Sequence, residues 1–206
     1  MSSPSTFELP LFPLQTVLFP DGLLSLKVFE ARYLDLVGSC MREGKPFGVV
    51  LLKQGTEVQK AGDGSVSFEK TGTIAELLDV DSAQAGILQV RCRGTRRFDV
   101  RKSRQQDDGL WIAMANVLTD DEAVAPAEAM HDTVRGLANA IATLKAQGSE
   151  PFLQPYRFDS AGWVANRWCE ILPISLAAKQ KLMELPDAQV RLQIVDEFLR
   201  SKGVVK

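Results

Sequence analysis

Leu9-Pro10-Leu11-Phe12-Pro13-Leu14, then Val17-Leu18-Phe19-Pro20-Asp21-Gly22, then Leu24-Ser25-Leu26-Lys27-Val28-Phe29-Glu30-Ala31-Arg32-Tyr33, is the stretch on which the reading of this chain turns. Three short apolar runs are punctuated by prolines and a Pro-Asp-Gly turn. Leu24, Leu26 and Val28 alternate with Ser25 and Lys27, the period-2 pattern of a half-buried strand. The third run flows straight into a helical pattern. From Glu30 to about Arg42, Tyr33, Val37, Cys40 and Met41 recur at spacings of three and four, which predicts one buried face. Glu30 falls in the expected first turn, where the helix dipole favours a negative charge. Gly44 and Pro46 supply the stop.

Strand signals continue to about Leu118. Phe47-Gly48-Val49-Val50-Leu51-Leu52 is a continuous apolar run, short enough for a strand buried on both faces. Gly62-Asp63-Gly64-Ser65 reads as a hairpin turn before Val66-Ser67-Phe68. Ile74 to Val80 and Ile87 to Cys92 read as two further strands. In the second, Leu88, Val90 and Cys92 face one way and Gln89, Arg91 and Arg93 the other. Phe98 and Val100 continue the alternation, and Trp111 to Leu118 closes the set.

The pattern changes at Thr119-Asp120-Asp121-Glu122, an acidic break, and helical periodicity follows. Met130, Val134, Leu137, Ile141 and Leu144 form one apolar stripe, ended by Gly148. Pro151 and Pro155 keep the next stretch irregular. A helix from about Ala161 to Leu172 carries Val164, Trp168, Ile171 and Leu172, and Pro173 stops it. Ser175 is an N-cap for a short helix through Leu185. Asp187 caps the last helix, with Val190, Ile194, Val195, Phe198 and Leu199 expected inward. Strands first and helices second argue an α+β chain, not alternating βαβ units.

Bulk properties narrow the function. The chain has 206 residues, 45% apolar and 24% charged, with a formal net charge of −2. Divided at Leu118, the first part carries 14 basic and 14 acidic residues and the second 10 and 12. Neither part has a net charge that would draw it to nucleic acid or an anionic membrane. No secretory signal and no run of about 18 apolar residues is present. Cys40, Cys92 and Cys169 are odd in number and scattered, which fits buried thiols in a reducing cytoplasm.

Candidate chemistry is sparse. His131 is the single histidine, too few for a metal set, and a solvated helix position is its expected place. Ser175 and Lys179 are four apart, yet the N-cap role explains Ser175, and Lys179 is expected at the surface. No catalytic residue, metal site or cofactor is expected. Arg91, Arg93, Arg96, Arg97, Arg101, Lys102 and Arg104 form the densest basic cluster, with Phe98 as the only interleaved aromatic. Trp163 and Trp168 are five apart, about 140° around a helix, so they cannot share a narrow stripe.

Five motifs in order carry a resemblance. The Leu-Pro-Leu-Phe-Pro-Leu opening leads to Leu18-Phe19-Pro20-Asp21-Gly22. Then come Phe29-Glu30-Ala31-Arg32-Tyr33, Gly72-Thr73-Ile74-Ala75, and Gly94-Thr95-Arg96-Arg97-Phe98. Leu172-Pro173-Ile174-Ser175 with Lys179-Gln180-Lys181-Leu182-Met183-Glu184 is the fifth. Together they resemble the Lon protease N-terminal (substrate-binding) domain family over roughly Phe7 to Ser201. The resemblance implies a PUA-like β-barrel, residues 7–118 with one inserted helix, and a small α-helical bundle, residues 119–202. It makes the opening runs the first strand pair of the barrel. No Gly-x-x-x-x-Gly-Lys-Ser/Thr loop is present. The expectation is therefore a stand-alone, non-catalytic cytoplasmic domain that captures exposed apolar segments of other proteins in a groove between barrel and helices. Arg32, Tyr33, Arg96, Arg97, Trp163 and Arg167 are the candidate contacts. Membrane is not an expected partner. RNA, held by the Arg91–Arg104 cluster, is the alternative partner, and a leftover apolar patch would allow self-association.

Overall fold

The computed structural model describes residues 6–55 and 66–206. The Gly62–Ser65 turn lies outside them. The chain forms two compact units that divide between Thr119 and Asp120.

The first unit has six strands and one helix. The strands are β1 (Phe7–Leu14), β2 (Leu23–Val28), β3 (Phe47–Gln54), β4 (Ser67–Gln84), β5 (Ile87–Gln105) and β6 (Trp111–Val117); α1 spans Ala31–Glu43. β1 pairs with β3 in parallel and with β6 antiparallel, while β4 bridges β3 to β5 and β5 returns to β6. Five strands thus close a barrel with no open edge around the ring. β2 lies outside the ring, paired only with the first part of β5. This corrects one expectation: β1 and β2 are consecutive in sequence but do not pair. The Pro20-Asp21-Gly22 turn carries the chain across the barrel instead. Asp21 N–H donates to Gly94 O at 2.8 Å, and Gly94 N–H donates to Gly22 O at 2.9 Å.

The alternation of side chains sorts two cores. Leu9, Leu11, Val50, Ile74, Phe98 and Val100 share one cluster. Their neighbours Phe12, Leu14, Val49, Ala75, Val90 and Cys92 share the other, with Tyr33, Leu36, Val37 and Cys40 of α1. β1 and β3 are therefore buried on both faces, which explains their unbroken apolar runs. Pro10 lies where β1 pairs only with β6, and Pro13 where it pairs only with β3. A strand tolerates a missing N–H where it has one neighbour. Space inside the ring is tight. A Cβ on Gly72 would sit 2.3 Å from Val49 O and 2.8 Å from Phe98 Cζ.

Two other expectations change here. The separate pieces read along 66–80 and 87–100 are parts of two long strands of 18 and 19 residues. Register shifts at Thr73/Ala75 and Leu77/Asp79 break the period-2 pattern without ending the strand. In α1, Met41 is 59% exposed and not on the buried face. Glu30 is the N-cap, its carbonyl accepting from Tyr33 and Leu34 N–H, not a first-turn residue.

The second unit is helical: α2 (His131–Ala146), α3 (Ala161–Ile171), α4 (Leu176–Glu184) and α5 (Ala188–Ser201). Ser160, Ser175 and Asp187 cap α3, α4 and α5 by accepting backbone N–H groups. His131 is exposed at the first position of α2. α3 is buried on every side from Ala161 to Cys169, not on one face as its apolar spacing suggests. Two polar residues on it explain why. Asn166 Oδ1 accepts from Arg191 Nη1 at 3.1 Å, and Arg167 Nη2 donates to Glu170 Oε1 at 2.6 Å. Trp168 Nε1 donates to Thr133 O at 3.0 Å and ties α3 to α2. Arg191 of α5, 1% exposed, also binds both carboxylate oxygens of Asp121 and the carbonyls of Leu182 and Leu185.

Candidate functional site

Five of the six candidate contact residues are buried. Arg32 and Tyr33 are brought together, the guanidinium carbon 4.7 Å from the ring centroid. Arg32 also donates to Glu30 Oε2 at 2.8 Å and Gly109 O at 3.0 Å. Tyr33 stacks on Phe12 at 3.8 Å. The pair therefore fixes the β2–α1 junction to the barrel. Trp163 and Arg167 are likewise together, 5.6 Å apart across one turn of α3. Trp163 packs edge-on to Phe158 at 5.4 Å, and Arg167 faces Phe152 at 5.8 Å. Arg96 and Arg97 separate: Arg96 is exposed, while Arg97 is buried and donates to Thr119 O at 3.2 Å.

The wider arginine cluster does not converge. Arg93 pairs with Asp21 at 2.6 Å, Arg104 with Glu8 at 3.0 Å and Arg101 with Asp99 at 3.5 Å. Across the sheet, Arg91 stands opposite Asp79 and Arg93 opposite Glu76. A phosphate-binding strip needs basic charge in excess, and here it is interleaved with carboxylates. No feature of the cluster favours RNA.

The nucleophile candidates are equally inert. Burial pushes the Cys92 and Cys169 thiols up to about 12. Burial, then the Glu43 carboxylate, raises Cys40. A thiol that stays protonated is a poor nucleophile. Ser175 Oγ is occupied with Ala178 N–H at 3.2 Å. Lys179 is half-buried, not a surface residue as expected; its Nζ donates to Glu170 O at 2.9 Å and closes the C-terminal turn of α3. Burial lowers its pKa. Among the described residues no group of three or more His, Cys, Asp or Glu could hold a metal ion. No helix among them is long and apolar enough to cross a membrane.

The helical unit does present an apolar groove of about 610 Å³. Ala178 and Leu182 of α4 form one wall, Ile194 and Phe198 of α5 the other, with Leu172 and Leu185 at the ends. Its charged residues, Lys181 and Glu184, neutralise each other at 2.8 Å. Ile194 is 42% exposed and Val190, one turn away, 43%. Both were expected inward. The inward face of α5 holds Val195 and Leu199, as expected, together with Ala188 and Leu192. At about 100° per residue, Val190, Ile194 and Phe198 form a second stripe, and the apolar arc of α5 spans roughly 200°. An arc that wide exceeds what one core face uses, and it was the available sequence signal for the groove.

The family model for the ATP-dependent protease La (LON) substrate-binding domain matches residues 8–201. The chain belongs to this family. The resemblance carried by the five motifs thus holds over nearly the whole chain. Among solved structures, the Lon N-terminal domain protein from Xanthomonas campestris is 32% identical to this Lon-family chain. It superposes with a TM-score of 0.72, covering 92% of this chain and 96% of that one. The N-terminal domain of Mycobacterium avium complex Lon protease shares the fold at 14% identity, with a TM-score of 0.60 and coverage of 93% and 97%. Lon protease 1 of Syntrophobacter fumaroxidans is 23% identical over 203 residues, 98% of this chain and 24% of the relative. The Cytophaga hutchinsonii Lon protease is 26% identical over 93% of this chain and 24% of its own length. The chain spans about a quarter of the length of the curated relatives it matches.

The Lon-family motifs are structural in this protein. Thr73 Oγ1 of Gly72-Thr73-Ile74-Ala75 donates to Leu18 O at 2.6 Å, inside the Leu-Phe-Pro-Asp-Gly segment. Gly94 bonds the same segment, and a Cβ there would lie 2.2 Å from Phe19 O. Motifs far apart in sequence meet at one corner of the barrel.

Proposed function

We propose that this Lon-family chain is a non-catalytic cytoplasmic recognition domain that binds apolar segments of other proteins, and that the α4–α5 groove is where it holds them. The observation that carries the reading is an apolar cleft walled by Ile194 and half-buried Phe198, with exposed Val190 one turn away and two charges that cancel. Such a surface selects a partner without charge and with apolar side chains in excess. Buried area contributes about 25 cal/mol per Å², less the cost of ordering the bound segment. Binding is accordingly weak and tolerant of sequence. Proteins with a supply of exposed apolar segments, unfolded chains above all, suit it.

The test is a titration with an unfolded, alkylated protein. Ile194→Asp should weaken binding by about tenfold, because a carboxylate would have to be desolvated in the groove. Ile194 is exposed, so the melting temperature should hardly move. Equal binding by the variant and the parent would overturn the reading.

A further inference from the structure

The barrel unit carries a second cleft with different chemistry. β3 pairs with β4 only as far as Phe47 opposite Ala75. From Glu76 onward β4 has β5 on one side and, among the described residues, no strand on the other. Between that open edge and the C-terminal end of α1 lies a cleft of about 580 Å³. Cys40, Met41 and Pro46 line one side, and Leu77, Leu78 and Val80 the other. Met41 and Leu78 are both largely exposed. Leu78 is the extra residue of a bulge, because the register passes from Leu77–Cys92 to Asp79–Arg91. A bulge re-aims a side chain out of the regular pleat.

From Glu76 onward the charged residues of β4 itself are acidic, with Arg91 and Arg93 behind them on β5. Glu76, Asp79 and Asp81 stand opposite Arg93, Arg91 and Gln89 of β5, so all three lie on the same sheet face. They are exposed, and among the described residues none of them makes an ion pair. Arg93 is turned to Asp21 instead. On the cleft's rim, Lys45 is paired with Glu43 at 2.7 Å. The C-terminal end of α1 adds partial negative charge.

We infer that this edge docks a short extended peptide in which basic residues alternate with apolar ones. The backbone of such a peptide takes the unpaired edge of β4, as strand addition requires. One set of its side chains meets the carboxylate row, where opposite charges across strands attract. The alternate set meets Met41 and Leu78. The same charges disfavour two other occupants. A second copy of this edge brings carboxylate against carboxylate, and a nucleic acid brings phosphate. The bulge at Leu78 interrupts the ladder and keeps the added segment short. This surface is independent of the α4–α5 groove.

Fluorescence anisotropy of the full chain with a labelled six-residue Lys-Leu alternating peptide tests it, with the Glu-Leu peptide as the charge-reversed control. The Lys-Leu peptide should bind and the Glu-Leu peptide should not. Glu76→Gln, Asp79→Asn and Asp81→Asn together should weaken binding by about tenfold, and added salt should weaken the parent in the same direction. Leu78→Ser should weaken it through the apolar set while leaving the carboxylates in place. Ile194→Asp should leave it unchanged, which separates this site from the groove. Equal binding of the two peptides, an unaffected triple variant, or loss of binding in Ile194→Asp would each overturn the inference.

Discussion

The barrel unit and the helical unit treat charge in opposite ways. In the barrel, Arg93, Arg101 and Arg104 of β5 sit outside and pair with carboxylates, while apolar residues fill two cores. In the helical unit, Arg167 and Arg191 are almost completely buried, while Val190 and Ile194 stand in solvent. A bundle of four helices has limited interior. Two of its places are taken by guanidinium groups that hold carbonyls and carboxylates in fixed positions, and apolar residues of α5 are left outside. The lesson is that a polar network around Arg191 occupies the interior of this unit, while an apolar stripe of α5 stays outside.

The largest expected effect tests that network. Arg191→Ala strands Asp121 and the carbonyls of Leu182 and Leu185, and should cost about 3–5 kcal/mol in urea unfolding. Trp163 and Trp168 report the helical unit in a Trp111→Phe background. Replacing both partners, Arg191→Met with Asp121→Leu, should recover most of the loss. A single variant as stable as the parent would remove the network from the account.

A smaller effect is expected where the barrel is already full. Gly72→Ala forces its methyl against Val49 O and Phe98, and should cost about 1–3 kcal/mol. Trp111 fluorescence reads it. A neutral result would mean that the ring yields where its packing says it should not.

The smallest effect is a pH dependence confined to the helical unit. Burial alone would raise the pKa of Asp196, but hydrogen bonds from Arg200 and Thr133 outweigh it and hold the carboxyl below its usual 3.8. A lowered folded pKa stabilises above the unfolded value and loses that contribution as pH falls through the folded one. Stability measured between about pH 5 and pH 2 should therefore fall more steeply in the parent than in Asp196→Asn. Parallel slopes would rule the contribution out.

Much of the fold was legible in the sequence for local reasons. Gly44, Ser175 and Asp187 end or start helices by their own backbone and side-chain chemistry. The apolar runs of β1 and β3 announced burial on both faces. What stayed hidden depends on residues distant in sequence. Nothing near Leu14 says that β1 pairs with β3 and β6 and not with β2. The continuity of β4 is hidden because the register slips between Phe68 and Ala75, where the sequence reads two separate pieces. Arg167 and Arg191 look like surface residues until Asn166, Asp121 and Glu170 are placed beside them. Arg32 and Trp163 are chemically expressive residues with partners inside the protein. Val190 and Ile194 were read inward because a helix was assumed to have one apolar face.

The two prolines of β1 have a consequence before the barrel exists. Leu9 to Leu14 is an apolar, uncharged hexamer. Without prolines such a segment is a template for stacking identical chains into cross-β sheets. Pro10 and Pro13 deny N–H groups to any such stack, yet cost the native barrel little because each has a strand on one side only. This apolar segment therefore carries its own protection against aggregation during synthesis.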